Sequence, residues 1–74
     1  MKFSYYPETD SLYISLSEKT STDSQEIAPD IVLDFDSEGK LVGIDIDQAS
    51  QIVDLTRLET ESFPLNSVIL DQSK

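Results

Sequence analysis

Histidine, cysteine and tryptophan are all missing from this 74-residue chain, and only five of its residues are Lys or Arg. Without cysteine no disulfide can staple the fold, and without either His or Cys the usual zinc ligands are gone. A serine nucleophile would have no imidazole to activate it, and no other catalytic signature stands in its place. No segment approaches the roughly 20 apolar residues that span a bilayer, and the opening MKFSYYPETD lacks the apolar run of a signal peptide. The expectation is a cytoplasmic protein with no membrane contact.

Charge is the compositional extreme. Fifteen Asp plus Glu against five Lys plus Arg give a net charge of −10. Such a surface repels phosphate backbones, which argues against direct nucleic-acid binding, and it suits basic protein partners or cations. It also serves the plainer purpose of keeping a small domain in solution. A chain of this length buries only about 60% of its unfolded surface, so tight packing and oligomerisation are its remaining sources of stability.

Met1, Phe3 and Tyr5 alternate with Lys2, Ser4 and Tyr6, and Leu12, Ile14 and Leu16 alternate with Ser11, Tyr13 and Ser15. Between them, Pro7 to Asp10 supply turn residues, so the first sixteen residues spell a β-hairpin. Ser17 to Ser24 is polar and offers nothing to hold it against a core, which predicts a surface loop. A third strand is expected from Ile27 to Phe35, with Pro29 at its start or at a bulge. Asp36 to Gly39 form a turn in which glycine suits a positive φ, and Lys40 to Ile46 return as the fourth strand.

If Asp36 faces Lys40, then Phe35 faces Leu41, Asp34 faces Val42, Leu33 faces Gly43, Val32 faces Ile44, and Asp45 lies opposite Ile31. That register makes both faces apolar. Ile31, Leu33, Phe35 and Leu41 fall on one, and Val32, Val42, Ile44 and Ile46 on the other, so each needs a cover. A helix over Gln48–Glu59, capped by Asp47 and apolar at Ala49, Ile52, Val53, Leu55 and Leu58, supplies one. The other cover is the tail with Leu65, Val68, Ile69 and Leu70, read as a short C-terminal strand or packing arm, or else a second copy of the chain.

The hairpin YYPETDSLYISL and the block LDFDSEGKLVGIDIDQAS resemble the domain of unknown function 2283 family of small bacterial proteins. Its members carry a Tyr-rich start, an acidic turn followed by Asp-x-Leu-Tyr-Ile, and an Asp-x-x-Gly turn leading into Gly-Ile-Glu-Ile-x-x-Ala-Ser. Here Asp10, Leu12, Tyr13 and Ile14 stand in the first motif, and Gly39, Gly43, Ile44, Ile46, Ala49 and Ser50 in the second, with Asp45 in place of the family's Glu. The resemblance covers roughly Met1 to Val53. It implies a β-meander with a helix and attaches no activity, although some relatives look like partners of small RNase-like toxins.

Four groups of residues are candidate sites. Asp34, Asp36, Glu38, Gly39 and Asp45 nearly match the spacing of a calcium loop, but Val42 and Ile44 favour strand geometry and the register carries Asp45 away from Asp34. Asp34, Asp36 and Glu38 remain the metal candidates of a weak cation site. Glu8, Asp10, Asp45 and Asp47 are a carboxylate set without a cleft or a nucleophile, and Asp10 reads more simply as a turn residue. Tyr6 and Tyr13 point away from the face of Phe3 and Leu12, as a contact surface or as cross-strand packing that stiffens the hairpin. Ser50 reads as a first-turn helix residue whose hydroxyl helps satisfy free N–H groups.

The sequence thus predicts one α+β domain over residues 1–74, with a core of about 1–60 and an arm over 61–74. Its architecture is an antiparallel four-stranded β-meander, made of two hairpins, followed by one helix. The function expected is non-enzymatic and cofactor-free: an acidic interaction module, homodimeric, and antitoxin-like toward a small basic RNase-type toxin. The alternative is a cation-binding or regulatory module using the Asp34–Asp45 turn. Tyr6, Tyr13, Leu33, Phe35 and Leu41 are the interface candidates.

Overall fold

The two alternating segments at the start of the chain form strands β1 (Lys2–Tyr6) and β2 (Ser11–Ser15), paired antiparallel as the hairpin pattern requires. A computed structural model describes residues 1–64, so the tail at Leu65–Leu70 lies outside the described residues. Three more strands follow: β3 (Asp23–Ala28), β4 (Ile31–Phe35) and β5 (Leu41–Ile46). They join β1 and β2 in one sheet of order β1-β2-β5-β4-β3, every neighbouring pair antiparallel.

This sheet has five strands where four were expected, and it is not a simple meander. Residues 16–22 carry the chain from β2 to the far edge, and β3, β4 and β5 then step back until β5 lies beside β2, a Greek-key return. Ser24 belongs to β3 rather than to the loop. Its strand escapes a hydrophobic pattern because an edge strand exposed on both sides has no apolar face to write. Pro29 is not inside a strand but starts the tight turn between β3 and β4, with Asp30 at φ 69° in the second central position, the pattern of a type II turn. Just before it, Ile27 is the extra residue of a bulge and is 54% exposed.

A second bulge corrects the expected register. Phe35 faces Leu41 as read, but the pairing then shifts, so Asp34 faces Gly43, Leu33 faces Ile44, Val32 faces Asp45 and Ile31 faces Ile46. Val42 is the extra residue. Because side chains alternate with period 2, one inserted residue moves everything beyond it to the other face. Ile44 and Ile46 therefore join Ile31, Leu33, Phe35, Leu41, Leu12 and Ile14 on a single apolar face. Tyr13, Asp34, Gly43 and Asp45 share a polar face with Ser11, Ser15, Ser24 and Glu26. The sheet is apolar on one side, so one cover suffices.

The core is small: Leu12, Ile46 and Ala49 are buried together, with Ile14, Ile44 and Val53 packed against them, and the bulged Val42 is buried as well. Ala49 begins the one helix of the described residues, α1 (Ala49–Ile52). The expected helix to Glu59 stops after one turn because Val53 is already extended and Asp54 captures the N–H and hydroxyl of Thr56. Such a side-chain turn competes with continued helix. Leu58, 66% exposed, packs no helical stripe.

Ile46→Ala should cost about 2–5 kcal/mol, most of what a domain of this size holds, whereas Ile27→Ala at the bulge should stay within about 0.5 kcal/mol. Urea unfolding of the two variants followed by circular dichroism checks the contrast.

Candidate functional site

The chemistry-bearing side chains gather in two places, one at an end of the sheet and one on its polar face. The first is built on Asp10, which closes the β1–β2 turn with φ 53°, a left-handed conformation that aspartate tolerates better than most residues. Its carbonyl accepts the Ala49 N–H at 2.8 Å, and its carboxylate accepts the Ser50 N–H at 3.1 Å and the Ser50 hydroxyl at 2.7 Å. The Tyr5 hydroxyl donates to the same carboxylate at 2.6 Å. Asp10 thus does for α1 what an N-cap residue normally does, from 40 residues away in sequence.

Asp47, expected as the cap, has another role: its carboxylate accepts the Ser11 hydroxyl at 2.9 Å. The N-cap position is Gln48, at φ 51° and without a side-chain cap bond. The Asp47 N–H donates to the Asp30 carbonyl at 2.8 Å, which ties the β3–β4 turn to the end of β5. Asp10, Asp30 and Gln48, three non-glycine residues at positive φ, therefore meet at one corner of the fold.

The hydrogen bonds of this corner hold the Asp10 carboxyl below its ordinary range, those from Tyr5 and Ser50 foremost, and the same bond raises the Tyr5 phenol. A carboxylate pushed down is a poorer base, and a phenol pushed up is a poorer acid. Both move away from neutrality, so the trio is suited to holding structure rather than transferring protons. The Ser50 hydroxyl is a donor to Asp10 rather than an aid to free N–H groups.

On the polar face, the Tyr13 ring lies over Gly43 and its hydroxyl donates to Asp34 at 2.9 Å. Ser24 donates to the other Asp34 oxygen at 2.7 Å. This chain of contacts runs across β2, β5, β4 and β3. A Cβ at residue 43 would overlap the Tyr13 hydroxyl, so glycine is required there by the close approach of the ring. Tyr13, directly opposite Asp45, is pushed up mainly by burial and also by Asp34. Asp45 is likewise pushed up by burial, and then by the neighbouring charges of Asp47 and Asp34.

The metal candidates are not brought together. Asp34 is engaged by Tyr13 and Ser24, while Asp36 accepts the backbone N–H groups of Lys40 and Glu38, both at 2.9 Å, within its own turn. Glu38 pairs with Lys40 at the surface. Gly39 adopts φ 80° as the turn required. Among the described residues no group of three or more His, Cys, Asp or Glu side chains is arranged to hold a metal ion.

Of the interface candidates, Tyr6 is 54% exposed on the polar face, and Tyr13 is half-buried as the brace over Gly43. Leu33, Phe35 and Leu41 share the apolar face, Leu41 being 38% exposed. Two shallow depressions, of about 220 and 310 Å³, are lined by Met1, Lys2, Ser15, Ser17 and Glu18 and by Glu26 to Pro29. Neither touches Asp10, Asp34 or Asp45.

The two sequence blocks that carried the resemblance are two halves of one set of contacts. Asp10 holds Ser50, Leu12 packs with Ile46 and Ala49, Tyr13 covers Gly43, and Ile14 faces Ile44. The model of a protein family described as "Protein of unknown function (DUF2283)" matches residues 2–50, ending on the serine that Asp10 holds. The chain belongs to the DUF2283 family. No curated protein and no solved structure matched it. The motif residues of this DUF2283 chain take part in packing and capping, and sequence spacing did not point to Ser24, which lies outside both blocks, or to the long-range role of Asp10.

Gly43→Ala should displace the Tyr13 ring and break its bond to Asp34. Combined with Tyr13→Ala, it should cost clearly less than the sum of the two single changes, a coupling that a double-mutant cycle in urea would measure.

Two carboxylates should act on stability with opposite sign. Asp10 has a lowered folded pKa, so its contribution is present above the unfolded value of about 3.9 and is lost as pH falls through the lower folded value. Asp45 has a raised one, so ionising it weakens the fold as pH rises through that value. Asp45→Asn should therefore raise the thermal midpoint at pH 7 and leave it nearly unchanged at pH 3, whereas Asp10→Ala should lower it at pH 7. Melting curves at the two pH values decide this.

Proposed function

We propose that this DUF2283 protein is not an enzyme but a binding protein: an acidic interaction module that pairs with itself and engages a small basic protein, antitoxin-like toward a toxin of the RNase type. The observation that supports this reading best is the sorting of charge over the sheet. Glu26, Asp34 and Asp45 project from the polar face, and Asp30, Asp36, Glu38 and Asp47 crowd the turns around it. Among the described strand residues, Asp23 is the one carboxylate on the apolar face, at its margin. A basic partner meeting the polar face would be drawn in by a summed field, and charge complementarity of this kind governs partner choice and association rate. Tyr6, exposed on that same face, adds an amphipathic contact of the type enriched at interfaces.

Co-purification with the small basic product of a neighbouring gene, at physiological salt, tests the reading. The complex should weaken as salt rises and should be lost on the double charge reversal Glu26→Lys with Asp45→Lys, while Leu41→Lys on the opposite face leaves it intact. Binding that ignores both salt and charge reversal would sink the proposal.

A further inference from the structure

The two edges of the sheet are treated differently. Natural sheets blunt an exposed edge with charge, proline, bulges and short strands, because unpaired N–H and C=O groups otherwise recruit another chain. Edge strand β3 has three of these devices: the charges of Asp23 and Glu26, the bulge at Ile27, and Pro29 where it ends. Edge strand β1 has no bulge and no acid: its devices are a single charge of the opposite sign, Lys2, and Pro7 where it ends. Its five residues pair with β2 without a break, and it exposes aromatic side chains on both faces, with Phe3 49%, Tyr5 44% and Tyr6 54% exposed. Among the described residues nothing pairs with its outer edge.

We infer that β1 is the site at which a second copy of this chain docks, antiparallel and two-fold about Ser4, joining the two sheets into one of ten strands. This placement rests on the reading that the protein pairs with itself. Charge selects the edge: two copies at −10 each repel wherever carboxylates face each other, and β1 is the one described strand that carries a base and no acid. Self-complementarity selects the register. A two-fold centre at Ser4 pairs all five residues of β1, while a shift toward either end shortens the ladder or draws in Pro7, which has no N–H to give. In that register Phe3 lies opposite Tyr5 of the second copy on the apolar face, and Lys2 lies opposite its Tyr6 on the polar face. Cross-strand aromatic pairs and a cation over a tyrosine ring are favourable neighbours, and no like charges meet. The apolar faces become continuous, so the exposed aromatics of β1 gain cover.

A chain without native cysteine makes the test direct. At the two-fold centre the two residue-4 Cβ atoms would sit about 4.5–5.5 Å apart, close to disulfide reach. The native chain in moderate salt should scatter light as two chains. Ser4→Cys treated with diamide should give a covalent dimer, Ile27→Cys at the other edge should not, and Ser4→Glu, which sets two carboxylates against each other, should scatter as one. A native mass of one chain overturns both the self-pairing and its placement, and protected outer β1 amides in that monomer would assign the edge to residues 65–74. A native dimer that survives Ser4→Glu and gives no Ser4→Cys cross-link overturns the edge placement alone, leaving self-pairing to the apolar face around Leu33, Phe35 and Leu41.

Discussion

The Asp10 carboxylate is the point on which the rest of this small fold depends. It sits in a left-handed turn and receives three donors, Tyr5 from its own hairpin and the N–H and hydroxyl of Ser50. Those bonds fix where the chain turns after β5, and that turn sets Ala49 against Leu12 and Ile46. A four-residue helix has no stability of its own, since a single turn orders several residues for one hydrogen bond. Here the hairpin turn supplies the cap and the sheet supplies the packing, so the helix exists only as part of the corner.

The second constraint is steric. Tyr13 reaches Asp34 only by crossing β5, and β5 can be crossed at that point only because residue 43 has no side chain. The bulge at Val42, immediately before, sets the register that lets Gly43 face Asp34. Bulge, glycine and tyrosine are therefore one device. It places a polar brace on one face and leaves the other free to collect Ile14, Ile31, Leu33 and Ile44.

What was readable in the sequence follows from this arrangement. The β1–β2 hairpin and the Asp36–Gly39 turn were readable because alternation and turn chemistry are local. The face of Tyr6 and Tyr13 is readable for the same reason. Three things were hidden. Strand β3 shows no alternation, because an edge strand wet on both sides has no reason to show it. The bulge at Val42 has no local signature, since valine suits either a regular or a bulged position, and a register without it makes the sheet look apolar on both faces. The helix looked long because Leu55 and Leu58 fall at helical spacing, although Val53 and the Asp54 turn end it. The role of Asp10 was partly visible: its turn position was plain, but its grip on Ser50 is a tertiary contact that spacing cannot encode.

The strand order also carries a consequence for how the chain reaches its native state. The pairs β1–β2, β3–β4 and β4–β5 are hairpins between sequence neighbours, whereas β2–β5 joins Leu12 to Ile46 and Ile14 to Ile44 across the middle of the chain. Local hairpins close quickly, while a distant pairing must first overcome the entropy of closing a long loop. The domain is thus two local units with one slow seam between them. The Asp10 grip on Ser50 lies at the end of that seam, where it latches the two units once β2 has found β5.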